Sequence, residues 1–201
     1  VPRTQATSLH LLTAISLALI LLCVSQCAFG DAVTIFSDDF EAAFTGWTVA
    51  GTPDWYTGTP KNGSHSIQLR QAEIIERTIS TVGYQSITVS FYLGAWSLDI
   101  ASENVQAQWY DGTTWTLLKQ ISDGDPEEDN QLHYFSYALP AGANNNANFR
   151  LRFRINCNSH GNDFGYVDDV LVRGDVIQYT LSLTGVGNGS VKVNGTLQSL
   201  P

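Results

Sequence analysis

Cysteine, methionine and positive charge are what this chain has least of. Its 201 residues include three cysteines and no methionine, and ten Lys and Arg stand against nineteen Asp and Glu for a net charge of −9. Two of the cysteines, Cys23 and Cys27, fall in an apolar N-terminal stretch. Once that stretch is removed Cys157 stands alone, and no intramolecular disulfide can form. Stability must then come from core burial, for which about 140 residues suffice; the lack of disulfides in an exported chain points to a bacterial source. The shortage of cations argues against a nucleic-acid partner, because phosphate binding needs a basic face. An acidic balance suits an exported protein or one that collects divalent cations. Histidine is sparse as well: after residue 30 there are His65, His133 and His160. The chain has no Gly-x-Ser-x-Gly elbow, no His-Glu-x-x-His zinc motif and no phosphate-binding glycine loop. Nor does it show the clustered Glu-x-Asp-x-x-Glu of β-sandwich glycan hydrolases, so the expectation is a non-catalytic module.

The first thirty residues differ in kind from the rest. Arg3 precedes an almost uncharged apolar run from Leu9 to Val24, and Ala28-Phe29-Gly30 follows shortly after it. That order is the grammar of a cleavable signal peptide, with the cut between Gly30 and Asp31 and a secreted or cell-surface product. A membrane anchor is the competing reading. The run is short for a span of roughly 20 apolar residues and is interrupted by His10, Thr13 and Ser16, so no stable membrane insertion is expected after cleavage. A lipoprotein would use Cys23 or Cys27, yet Leu22 and Gln26 stand where a small residue belongs.

From residue 31 onward, short runs rich in Val, Ile, Thr, Tyr, Phe and Trp alternate with Gly, Asn, Asp and Pro clusters. This punctuation predicts nine strands, at 33–36, 66–70, 75–80, 86–94, 104–110, 115–121, 132–139, 148–156 and 165–172. In one of them Val105, Ala107 and Trp109 alternate with Gln106, Gln108 and Tyr110; in another Phe149, Leu151, Phe153 and Ile155 alternate with Arg150, Arg152 and Arg154. Asp111-Gly112 is a hairpin signal. No window carries a helical period. The expected fold is all-β, a two-sheet antiparallel jelly-roll sandwich over 31–174, with 175–201 opening a second β-rich repeat.

Four motifs recur in a recognisable order. They are Phe36-Ser37-Asp38-Asp39-Phe40-Glu41 with Gly46-Trp47, then Asp54-Trp55, then Asp111-Gly112 with Trp115, and last Tyr166-Val167-Asp168-Asp169-Val170. Across 36–173 the chain thereby resembles MAM-type domains and the jelly-roll carbohydrate-binding modules of bacterial polysaccharide-degrading proteins. The paired cysteines of the MAM pattern are missing, which favours a bacterial binding module over eukaryotic adhesion. Residues 179–201 are similar to the start of an internalin B-repeat.

Two groups of residues could carry function. Asp38, Asp39 and Glu41 lie at the first strand and Asp168 and Asp169 at the last, and terminal strands of a jelly roll commonly run side by side. Converging carboxylates are costly without a cation, and Ca²⁺ accepts six to eight oxygens in loose geometry. The resemblance implies a structural calcium at the same seam, with Asp39, Glu41 and Asp169 as ligands and Asp38 or Asp168 assisting. The alternative is that these acids bond loop N–H groups or pair with Arg77, Arg150 or Arg152. The run Asp123-Gly-Asp-Pro-Glu-Glu-Asp129 lacks EF-hand spacing and reads as a solvated turn. Sugars stack their C–H faces on aromatic planes. Trp47, Trp109 and Trp115 are assigned to packing, which leaves the loop residues Trp55 and Tyr56, and Trp96 with Asp99, as glycan-binding candidates. The resulting expectation is a module that binds polysaccharide or cell-surface glycan. The rival is a structural or adhesive spacer that contacts protein partners and has no glycan site.

Overall fold

The computed structural model describes residues 32–158, 162–178, 190–193 and 196–199. The expected signal segment and His160 lie outside the described residues.

Eleven strands build the sandwich. They are β1 (Val33–Asp38), β2 (Thr48–Ala50), β3 (Asp54–Tyr56), β4 (Ser66–Leu69), β5 (Ile74–Thr78), β6 (Tyr84–Trp96), β7 (Asn104–Tyr110), β8 (Trp115–Ser122), β9 (His133–Ala138), β10 (Arg150–Asn156) and β11 (Phe164–Val176). One sheet runs β3-β4-β11-β6-β9 with β1 also paired to β11; the other runs β2-β5-β10-β7-β8. Every pairing is antiparallel. The expected all-β sandwich of two antiparallel sheets is therefore what the chain adopts. A further hairpin, β12 (Ser190–Val193) with β13 (Thr196–Ser199), forms a two-stranded sheet of its own. Among the described residues no helix is long and apolar enough to cross a membrane.

All nine expected strands are present; β2 and β3 are additional three-residue strands, and β3 holds the Trp55 and Tyr56 expected in a loop. Alternation does the building. Val105, Ala107 and Trp109 of β7 and Leu151, Phe153 and Ile155 of β10 are buried, and they meet Val89, Phe91 and Leu93 of β6 and Val167, Val170 and Val172 of β11 across the sandwich. Phe91 and Phe153 touch edge to face, with centroids 5.2 Å apart. Trp47 lies in this core against Phe40 and Phe153, as expected, and its indole N–H donates to Asp38 Oδ2 at 2.8 Å.

The long strand β11 organises one sheet. One edge pairs with β6 throughout, and the other is shared: Gly165–Val167 pair with β4, and Val170–Gly174 with β1. The exchange of partners falls at a bulge between Asp168 and Leu171, where Asp169 takes a left-handed φ of 49°. An aspartate tolerates that conformation better than a branched residue would.

Candidate functional site

The β1/β11 seam brings the two acidic groups together. Asp38 pairs across the ladder with Val170, which places Asp38 and Asp39 beside Asp168 and Asp169. Asp168 is fully buried; its Oδ2 accepts the Lys61 N–H at 2.7 Å and its Oδ1 accepts the Asp169 N–H at 2.7 Å. Burial pushes its carboxyl up to about 6, against the pull of those N–H groups. Asp169 is also raised, first by burial and then by the charge of Asp39, while the Asn62 side-chain amide donates to it.

Glu41 fastens the loop that covers this seam. Its Oε1 accepts the N–H groups of Ser64 and His65, both at 2.8 Å, and these hold its carboxyl below the ordinary range. A Cβ at Gly63 would displace the Glu41 carboxylate from these N–H groups, and the φ of 66° there favours glycine. Asp38 caps Phe40 N at 2.9 Å and takes the Trp47 indole. Among the described residues Asp39 and Asp169 each accept one hydrogen bond, from Glu41 N and the Asn62 amide, and so keep the most oxygen surface for another ligand. The proposed arginine partners bond elsewhere: Arg77 to the Thr45 carbonyl, Arg150 to Glu76 and Arg152 to Gln108.

Next to these acids a groove of about 410 Å³ opens on the outer face of the sheet, bounded by β1, β6, β9 and β11. Tyr92 and Tyr134 stand on neighbouring strands in direct register, with ring centroids 5.3 Å apart at 55°. Tyr134 is 58% exposed. Ser37, Asp38, Ser90, Val170 and Leu171 complete the lining with Asp39 and Asp169, and the Lys61 ammonium lies 5.0 Å from the Tyr92 centroid. An aromatic pair flanked by hydroxyls, carboxylates and one cation can stack a sugar ring and hydrogen-bond its hydroxyls.

The aromatics nominated from sequence lie elsewhere. Trp55 and Tyr56 are not in a loop: they belong to edge strand β3, where Trp55 pairs with Ile67 and Tyr56 with Ser66. The Trp55 indole donates to the Phe40 carbonyl at 2.7 Å, and one ring face lies on His65 with centroids 3.5 Å apart. Tyr56 stacks with Tyr166 at 5.8 Å. Trp96 ends β6 opposite Phe164 and is 45% exposed. Asp99 is drawn into a different acidic group: its carboxylate and those of buried Glu103 and Asp163 come within 4.8 Å of one another, and its N–H donates to Glu103 Oε2 at 2.8 Å. Trp115 packs as expected, against Tyr110 and the Arg152 guanidinium. Cys157 is half-buried, and burial with the nearby Asp163 charge pushes its thiol up to about 11, which suits a packing role.

Sequence reasoning missed Tyr92 and Tyr134. The signal was present in part, since Ser90 and Tyr92 occupy the outward phase of a strand whose Val89, Phe91 and Leu93 point inward.

No protein-family model matches the chain, and no curated protein matches it. Solved structures do. The xylan-binding CBM22-1 domain of Paenibacillus barcinonensis Xyn10C aligns at 15% identity with a TM-score of 0.48, covering 73% of this chain and 97% of that one. TmCBM61, solved with β-1,4-galactotriose, aligns at 12% identity and a TM-score of 0.48, covering 67% and 92%. The K3 cleaved adhesin domain of Lys-gingipain from Porphyromonas gingivalis aligns at 15% identity and a TM-score of 0.49, covering 71% and 98%.

Proposed function

We propose that this is a non-catalytic extracellular module whose seam groove binds a polysaccharide or cell-surface glycan, with a calcium ion stiffening the seam. The observation that carries the reading is the Tyr92–Tyr134 pair beside Asp39 and Asp169 in one groove. Tyr134 would supply the exposed stacking face, and Asp39, Asp169, Ser37 and Ser90 the hydrogen-bonding groups. The donor set fits calcium in kind, because all five seam acids are hard oxygen ligands and burial and mutual repulsion disfavour the ionised forms of Asp168 and Asp169. Asp39 and Asp169 would hold the ion, with Asp38, Glu41 and Asp168 around them. Its charge would offset that repulsion and fix β1 against β11.

The test is titration calorimetry of the protein against a panel of neutral polysaccharides, with Tyr134→Ala alongside. We expect one polysaccharide to bind, and Tyr134→Ala to weaken it about tenfold, or about 1.4 kcal/mol, with the melting temperature unchanged because the side chain is largely exposed. If no glycan binds at millimolar concentration, the groove is not a glycan site and the spacer reading takes its place.

A further inference from the structure

The second sheet carries a concentration of positive charge that the seam groove does not use. Along β10, Leu151, Phe153 and Ile155 enter the core, so Arg150, Arg152 and Arg154 line up on the outer face, about 7 Å between neighbours. β7 sets Tyr110, Gln108 and Gln106 directly opposite them. In the paired registers of this five-stranded sheet Glu76 is the one acid on that face, and it bonds Arg150 at 3.0 Å. Three guanidinium groups against one carboxylate make a basic strip on a chain whose net charge is −9.

The strip is ordered and partly dehydrated. The Arg152 guanidinium lies 3.9 Å from the Trp115 ring centroid and donates to Gln108, and Arg150 lies 5.2 Å from Tyr110. Gln108 donates to Gln106 at 2.9 Å and Gln106 to Gln120 at 2.7 Å, so a row of linked amides runs beside the arginines. The Nε atoms of Arg150 and Arg154 are buried and have no hydrogen-bond partner among the described residues. Burial first, and then the adjacent Arg154 charge, pull the Arg152 guanidinium pKa down, with the Glu76 charge opposing them.

We propose that this face binds the carboxylate groups of a uronate-bearing polysaccharide along Arg150, Arg152 and Arg154. Guanidinium is the side chain whose planar, two-pronged donors match a carboxylate, and three of them in a row match an anion repeated along a polymer. The amide row beside them suits sugar hydroxyls. Nucleic acid is the weaker fit: its charge is dense and continuous, whereas this strip is short and the rest of the chain repels phosphate. The site is on the sheet opposite the seam groove and does not depend on it.

The experiment is calorimetric titration of the whole chain with polygalacturonate, with the same polymer fully methyl-esterified, and with a single-stranded oligonucleotide. We expect polygalacturonate to bind and methyl esterification to weaken binding at least tenfold. Arg152→Gln and Arg154→Gln should each weaken it about tenfold, and Arg152→Lys less. Arg152→Gln should leave the binding of a neutral polysaccharide at the seam groove intact, which also shows that the variant is folded; Arg154→Gln, whose guanidinium is not stacked on Trp115, serves if that variant misfolds. Equal binding of acid and ester, indifference to both glutamine variants, oligonucleotide binding as tight as polygalacturonate, or no binding of polygalacturonate at all would each overturn the proposal.

Discussion

Raising the pH should weaken this fold at one identifiable place. Asp168 is fully buried, and burial pushes its folded carboxyl up to about 6 from an ordinary value of 3.8. Between those values the folded state holds a proton that the unfolded chain has released. This group therefore favours folding most at low pH, and that advantage is lost as pH rises through the folded value. The shift of about two pH units corresponds to about 3 kcal/mol, of which about 2–3 kcal/mol falls between pH 4 and pH 7. Asp169 shifts in the same direction and adjoins it, so the two protons belong to the pair. Asp168→Asn keeps the shape and cannot ionise. The stability difference between variant and wild type should move by about 2–3 kcal/mol in the variant's favour from pH 4 to pH 7, or roughly 10 °C in melting temperature. The assay is urea unfolding followed by tryptophan fluorescence at four pH values, in chelator. Added calcium should flatten the wild-type trend if the ion occupies the seam, because a ligand of the folded state supplies the missing countercharge. A difference that stays level with pH, within about 0.5 kcal/mol, would refute the claim that burial outweighs the N–H groups of Lys61 and Asp169 and holds Asp168 protonated above the ordinary range.

Packing and buried hydrogen bonds set the outcome for four further variants. Trp47→Ala should cost about 3–5 kcal/mol through the cavity left between Phe40 and Phe153, and Trp47→Phe about 1–3 kcal/mol through loss of the indole N–H to Asp38; thermal unfolding separates the two. Gly94→Ala would place a Cβ 2.0 Å from the Gln131 carbonyl oxygen, where the backbone crosses the strand, so it should cost about 1–3 kcal/mol and expose residues 129–132 to protease. Glu103 behaves oppositely to Asp168. Its burial raises its carboxyl, but the N–H groups of Asn158 and Asp99 outweigh that and hold it below the usual range, so it stabilises above that range and less as pH falls. Glu103→Gln should cost about 1–3 kcal/mol at pH 7 and progressively less on acidification, read by the same unfolding series.

The sandwich was legible because a half-buried strand shows its period in the sequence: β7 and β10 present their inward and outward residues in strict alternation, and the structure follows it. The strands β2 and β3 were not legible, since three-residue strands, one between Gly46 and Gly51 and one between Pro53 and Gly58, carry no period. Trp55 was misread for the same reason, as edge-strand residues flanked by turn formers look like loop. The meeting of Asp38 and Asp39 with Asp168 and Asp169 could be anticipated from the pairing of first and last strands. The Tyr92–Tyr134 pair could not, because it depends on which residue of β9 faces which residue of β6. Register between strands forty residues apart is set by the packed core, not by local pattern.

The sharing of β11 has a consequence for how the chain reaches this state. Val33 finds its partner only in Gly174, and β4 and β6 also wait for the same late strand. Until the chain has emerged past Val176 that sheet lacks its centre: the β3–β4 and β6–β9 pairs can form, but nothing joins them to each other or to β1. Closure of this sheet is thus deferred until β11 has been made, and the bulge at Asp168 and Asp169 marks where the two ends of the sandwich are tied together.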